Sequence, residues 1–386
     1  MKNLLKSDLK VVHTFISPFK AESRVIKQMY SLKDAYEEST VSFIGMKDED
    51  VPSYETYASK FQIFREEIKS RPLPRSLFFQ TLKYSEWIWR AYRRLKKLTP
   101  DVVHCHSLGA LPVAVLAKLK LKCILVYDAH ELESERNHHG FLKNFFLSFI
   151  ERNLIPACDS ILVVSPSIKK YYERKFPRKK IFLVVNACSK SEREGSDVLN
   201  LRDKLKISSD ALVFMYIGGI SQGRGIELYL KVFKNLPKNC HLVYMGDGSL
   251  KESVLEASKT LSNVHYLPPV PWDKVVNVAE QADYILRVAQ VSSLSYKYAL
   301  PNTFFQALSS RVPIIINEEC EEMIEFCNDS EMCIPSKYDE QALCELIKGL
   351  QKRSKKRDPL APQLTWEFYE SILLNSYSLC FEKPFK

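Results

Sequence analysis

A chain of 386 residues exceeds the size over which one hydrophobic core keeps growing, and 46% hydrophobic residues supply material for two, so two domains of somewhat under 200 residues each are expected. The formal charge of +10 calls for an anionic partner and fits nucleic acid, an anionic membrane face or phosphorylated small molecules alike. No run approaches about eighteen uncharged apolar residues, the opening MetLysAsnLeuLeuLysSerAspLeuLys holds no signal-like core, and ten scattered cysteines form no Cys-x-x-Cys pair, so the reading is a cytoplasmic protein with reduced thiols.

Short apolar runs rich in β-branched residues alternate with longer amphipathic stretches, the pattern of βαβ units on parallel sheets. In the first half the runs 11–16, 41–44, 102–104, 123–127, 160–164 and 181–185 are the expected strands. Through and after the first the chain reads HisThrPheIleSerProPheLysAlaGluSerArg, with no Gly-x-Gly-x-x-Gly, which disfavours a dinucleotide-binding oxidoreductase.

Residues 58–98 are both basic and aromatic, with Arg65, Arg90, Arg93 and Arg94 among Phe61, Phe64, Phe78, Trp87 and Trp89. Such helices bind anionic membrane surfaces, or pack into a core with a solvated basic face. GlyPheLeuLysAsnPhePheLeuSerPheIleGluArg, over 140–152, repeats the combination and favours peripheral contact at the inner face of the cell membrane. Nucleic acid is the other use of such surfaces, but no recognition motif accompanies them and none is expected to bind.

Two strand ends then deliver polar residues: His104 and His106 from one, Asp128, His130 and Glu131 from the next. A lone histidine reads as a core residue, but three histidines and several acids at adjacent strand ends point to a functional site. Zinc is the rival use, and no i, i+4 helical pair supports it.

After the charged segment 189–196, which reads as a linker, the pattern restarts with strands expected at 212–217, 241–245, 264–267, 282–286 and 312–316. MetTyrIleGlyGlyIleSerGlnGlyArgGlyIleGlu, from Met215, is a strand, a glycine turn and a helix start near Ile226. Gly218, Gly219, Gly223 and Gly225 let backbone amides approach a phosphate, and Arg224 adds a fixed positive fork; an ordinary turn with an exposed arginine is the alternative. Gly246 and Asp247 repeat the turn one unit later, Asp247 reading as a turn residue. From Ser295 a Pro-Asn turn, an amphipathic helix and an apolar strand follow, placing the amides near Asn302 and Thr303 where an anion can sit. ThrTrpGluPheTyrGluSerIleLeuLeuAsnSerTyr reads as a terminal helix with Thr365 as cap. Two doubly wound domains would place the site at their strand carboxyl ends, in a cleft between them.

These blocks, in this order from the SerArgVal near residue 24 to the terminal helix, resemble glycosyltransferase family 4, whose fold is GT-B. The resemblance implies an α/β protein of two Rossmann-like domains facing a central cleft, with residues 1–190 as acceptor domain, 197–364 as nucleotide-sugar donor domain and 365–386 as a helix crossing back to the first. It implies transfer of a sugar from a nucleotide-diphosphate sugar to a glycan or lipid-linked acceptor, with retention of configuration and no cofactor or bound metal, commonly in making lipopolysaccharide or other surface glycans. By the family's pattern Arg224 and His130 are the catalytic candidates, His130 facing the donor sugar; Gly218, Gly219, Gly223, Gly225, Gly246, Asn302, Thr303 and Gln306 bind the donor; and His104, His106 and Glu131 lie on the acceptor side.

The donor motif is degenerate. In Gly-Arg-x-x-x-x-Lys-Gly the Arg position is Gly219 and the Lys position Arg224; in Pro-Asn-Lys-x-Phe-Glu-x-x-x-x-Gly-x-Pro-Val-Ile the Lys, Glu and Gly positions are Thr303, Gln306 and Arg311; the first acid of Glu-x7-Glu is Tyr298. Arg287 and Lys297 are the nearby cations available as substitutes. A catalytically silent relative serving as a subunit of an active partner is therefore a second reading, and another GT-B enzyme such as a nucleotide-sugar epimerase a third.

Overall fold

The computed structural model describes residues 8–20, 22–135, 141–194, 200–352 and 360–382, apart from the side chains of 141–146. The chain divides into two compact units, Met1–Val185 with Tyr369–Lys386, and Asn186–Phe368.

Among the described residues the first unit holds eight strands: β1 (Lys10–Thr14), β2 (Thr40–Met46), β3 (Tyr54–Tyr57), β4 (Phe61–Glu66), β5 (Val102–His106), β6 (Ile124–Ala129), β7 (Ser160–Val163) and β8 (Lys180–Leu183). Their order is β3-β4-β2-β1-β5-β6-β7-β8, parallel throughout except for the antiparallel β3–β4 pair. The central strands β5, β6 and β7 are buried along their whole length, which is why they read as apolar runs. Winding reverses between β1 and β5, and a crevice for polar chemistry forms at such a switch point, outside the strand carboxyl ends.

Among the described residues the second unit holds six parallel strands: β9 (Leu212–Ile217), β10 (Cys240–Met245), β11 (Val264–Leu267), β12 (Tyr284–Arg287), β13 (Ile314–Asn317) and β14 (Cys333–Ser336), in the order β11-β10-β9-β12-β13-β14. Its switch point lies between β9 and β12.

Three strands escaped the sequence reading. β3 and β4 lie inside or beside the stretch read as a basic helix, and the helix is confined to Leu77–Leu98. Phe61 and Ile63 are core residues of β4, and Arg65 is buried beneath the Pro18 and Pro52 carbonyls and paired with Glu55. β14 is an edge strand interrupted by Pro335, which edge strands tolerate. The segment read as a linker contains one helical turn, Lys190–Arg193, where the Glu192 carboxylate accepts from the Ser189 amide (2.7 Å) and hydroxyl (2.9 Å). The terminal helix runs over Trp366–Phe381; Thr365 precedes it, its hydroxyl donating to the Pro362 carbonyl.

Candidate functional site

In the first unit β1, β5 and β6 lie in register, with His13 opposite His104 and His106 opposite Asp128. The imidazoles of His13, His104 and His106 stack, with centroids 4.6 Å apart for His13–His104 and for His104–His106. His13 Nδ1 is 2.9 Å from His106 Nε2, and His106 Nδ1 is 3.0 Å from His130 Nε2, forming a chain of three rings. His104 Nδ1 meets the Tyr377 hydroxyl at 2.6 Å. Only His130 reaches the surface, its ring 5.2 Å from that of Phe15.

Asp128, fully buried, anchors this group. Arg24 donates to it twice, Nε to Oδ2 (2.8 Å) and Nη2 to Oδ1 (2.7 Å), and Gln28 Nε2 adds a third bond at 2.8 Å. Burial, the largest single influence, pushes the Asp128 carboxyl up, but the Arg24 guanidinium, His130 and the hydrogen bonds of His104 and His106 together more than reverse this, holding it well below the usual range. Burial, followed by repulsion from His104, pushes His13 and His106 well below the ordinary histidine value; burial lowers His104 as well. At neutral pH the cluster is three uncharged imidazoles on one carboxylate–guanidinium pair.

His13, His104 and His106, or His106, Asp128 and His130, bring ligand atoms within 4.8 Å of one another and could hold a metal ion. Against that, the Asp128 oxygens are already bound by Arg24 and Gln28, whose arginine charge would oppose a cation. His104 and His106, expected to face an acceptor, are fully enclosed and touch His130 or its support instead. Glu131 is half-buried beside His130 in sequence. His13, Arg24, Gln28 and Tyr377 were not singled out from sequence; the one available signal was a histidine inside the apolar run of β1.

In the second unit, β9 ends at Ile217 and the turn 218–225 leads into a helix, Ile226–Asn235. Gly225 caps that helix at φ 84°, and a Cβ there would lie 2.3 Å from the Val288 carbonyl. Gly246, at the end of β10, is packed against the same turn: its Cβ would sit 1.9 Å from the Gly218 oxygen. By contrast, a Cβ at Gly219 or Gly223 meets nothing within 4 Å, so the outer side of the turn is open. Tyr216 donates to the Gly219 carbonyl at 2.6 Å. Burial raises its hydroxyl pKa, while the charges of Arg287 and Arg224 act on it in the opposite direction.

The family profile for Glycosyltransferase Family 4 matches residues 29–190, and that for Glycosyl transferases group 1 matches 197–363. Together the two profiles place the chain in glycosyltransferase family 4, with the GT-B fold. It is 31% identical over 139 residues to the lipopolysaccharide 1,2-N-acetylglucosaminetransferase of Salmonella typhimurium, covering 33% of this chain and 36% of that protein. It is 28% identical over 176 residues to a Campylobacter jejuni α-1,4-N-acetyl-D-galactosaminyltransferase named for a diNAcBac-PP-undecaprenol-linked glycan, covering 44% and 45%. The matched regions thus span less than half the length of either relative. Sucrose-phosphate synthase from Thermosynechococcus elongatus shares the fold, with a TM-score of 0.70 at 14% identity over 97% of this chain and 94% of that one.

Within this family 4 chain the remaining candidates lie in the second unit. Asn302 opens the helix Asn302–Ser309, exposed, its Oδ1 accepting from Asn186 Nδ2 at 2.6 Å. Thr303 turns inward: it is buried, and its hydroxyl donates to the Ile217 carbonyl at 3.0 Å. Its side chain therefore fastens the helix to the end of β9, and only its backbone amide is left for an anion. Gln306 is half-buried one turn further on. Asp247 accepts from the Gly248 amide and faces Lys251 at 3.6 Å, the turn role expected of it. Arg311 stands at φ 57°, a left-handed conformation disfavoured for any residue with a Cβ, where the family pattern has glycine.

Proposed function

We propose that this glycosyltransferase moves a sugar from a nucleoside-diphosphate sugar to a glycan or lipid-linked acceptor, with retention of configuration, in the synthesis of a surface polysaccharide. The observation that carries this reading is the open glycine turn at the β9 carboxyl end, with Arg224 at its exit and the Asn302–Ser309 helix start fastened beside it by Thr303. Breaking the bond from the anomeric carbon to phosphate puts charge on the leaving diphosphate. Fixed cations and amide dipoles aimed at that charge lower the barrier without solvent reorganisation. Arg224 and the turn amides take this part, Gln306 accepts from a ribose hydroxyl, and His130 positions the donor sugar. The neutral imidazole chain behind His130 holds its ring orientation. The reading calls for no cofactor or metal.

Thermal melts with UDP, GDP, ADP, CMP and their sugar conjugates test it. One nucleotide family at a hundred times its dissociation constant is expected to add about 2.7 kcal/mol of stability. Arg224→Ala is expected to lower turnover by about a hundred- to a thousandfold. Melts that no nucleotide shifts would count against donor binding and favour a silent subunit of an active partner.

Membrane contact has its own support, narrower than the sequence reading. On the helix Leu77–Leu98, Phe78, Leu82, Trp89 and Arg93 recur at i, i+4, i+11 and i+15, forming one stripe. Leu77, Phe78 and Trp89 are 84%, 74% and 53% exposed, and Arg93 lies over the Trp89 ring at 4.6 Å. Trp87 is excluded from this face: it is buried and donates to the Gly45 carbonyl. Of the second stretch, 140–152, Gly140 and the side chains of 141–146 lie outside the described residues. The helix is proposed to rest on anionic lipid, where each basic residue near the surface adds about 1 kcal/mol. The protein should co-sediment with phosphatidylglycerol vesicles at 0.1 M salt and less at 0.5 M, and Phe78→Ser with Trp89→Ser should release it. Equal sedimentation with neutral phosphatidylcholine vesicles would sink the proposal.

A further inference from the structure

Two cations of the family's donor motif are missing from their places, one at Gly219 and one at Thr303, whose hydroxyl is engaged by the Ile217 carbonyl. A third position in the fold carries a cation that no group among the described residues neutralises. Arg287 is the last residue of β12, 9% exposed, and its Nη1 is enclosed with no hydrogen-bond partner. No carboxylate pairs with it among the described residues. A guanidinium withdrawn from water is strongly unfavourable unless an anion or a full set of acceptors replaces the lost hydration.

The sheet sets where that charge lies. β12 runs beside β9 with Ile285 opposite Met215, so Arg287 reaches the same carboxyl edge as Ile217, at the point where strand order reverses. The chain after Arg287 is fastened to the glycine turn: the Val288 carbonyl closes on Gly225 and accepts from the Tyr229 hydroxyl at 2.9 Å, and the Gln290 amide donates to the Gly223 carbonyl at 3.2 Å. Arg287 and Arg224 both act electrostatically on the Tyr216 hydroxyl, itself bonded to Gly219. Lys297, the other substitute cation, is paired with Glu321 at 3.1 Å.

We propose that Arg287 binds the diphosphate of the nucleotide donor, supplying from the end of β12 the charge that Gly219 and Thr303 do not. This rests on the donor-site reading above. A guanidinium suits the task because its planar fork stays charged and offers two parallel donors to a phosphate.

Calorimetric titration of the full chain with UDP, GDP and ADP, and with the matching nucleosides, tests it on the wild type, Arg287→Met and Arg287→Lys. Arg287→Met is expected to weaken the binding diphosphate by about ten- to a hundredfold, the loss of a charge-assisted contact, while leaving nucleoside affinity unchanged. Its melting temperature without ligand should be equal or higher, since an uncompensated buried charge is gone. Arg287→Lys should recover part of the diphosphate affinity. A wild type that binds no diphosphate overturns both this proposal and the donor site. A wild type that binds, with Arg287→Met within twofold of it, overturns this proposal alone. So does an Arg287→Met chain that unfolds without ligand while Arg287→Lys binds no better than Met would predict, which assigns Arg287 to the fold.

Discussion

Replacing Arg24 by methionine is expected to lower the melting temperature of the first unit by about 6–20 °C. Asp128, on β6, is fully enclosed beside β5 and the helix Ser23–Ala35, and Arg24 is the permanent cation bonded to it. Removing one partner of a buried pair leaves an uncompensated charge, at about 3–5 kcal/mol, and each kcal/mol moves a domain of this size by about 2–4 °C. The same change frees the Val184 carbonyl, which accepts from Arg24 Nη1 at 2.7 Å. Methionine keeps most of the side-chain volume, so a cavity is not the main cost. The double substitution Arg24→Met with Asp128→Asn should recover much of the loss, because a neutral amide needs no counter-charge. A single variant melting within about 2 °C of the wild type would refute the account of Asp128 as a carboxylate held by Arg24.

The central strands were legible because burial on both faces demands unbroken apolar runs, and β9 begins and ends where its run does. β3 and β4 were not, because TyrGluThrTyr and PheGlnIlePheArgGlu alternate in polarity at a sheet edge, and the basic residues that follow drew the reading toward a helix. Charge counting misplaced Arg65 for the same reason: sequence shows a cation, and only the tertiary fold shows Glu55 and two carbonyls closing over it. In the site, His104, His106 and His130 were visible as polar strand ends. His13 lies 93 residues from His106 and Tyr377 lies 273 from His104, separations at which no periodicity reports contact. Thr303 shows the limit of motif matching: the position matches, but the hydroxyl faces a backbone carbonyl.

The buried imidazoles make a second large effect, in pH. His13, His104 and His106 have folded pKa values below the ordinary 6.5, by burial above all. As pH falls through about 6.5 the unfolded chain binds protons that the folded chain refuses, so stability must decrease with falling pH. Each fully refused proton contributes a slope of about 1.4 kcal/mol per pH unit, and three together give up to about 4 kcal/mol per unit. Asp128, depressed in the folded state, adds its own loss only at lower pH, once unfolded carboxylates begin to protonate near 3.9. The onset is therefore near neutrality rather than in the carboxylate range, which distinguishes it from ordinary acid denaturation. His241 and His265, 3.0 Å apart and also lowered, extend the trend to the second unit, where partial exposure weakens it. Melting temperatures measured from pH 8 to pH 5 should be level above 7 and fall steeply below 6.5. His13→Asn, which removes one ring of the stack and leaves Asp128 with Arg24, should lower that slope by about a third. A melting temperature unchanged between pH 7 and pH 5 would mean that the rings accept protons in place. The chain behind His130 would then carry positive charge next to Arg24, and its part in orienting His130 would have to be abandoned.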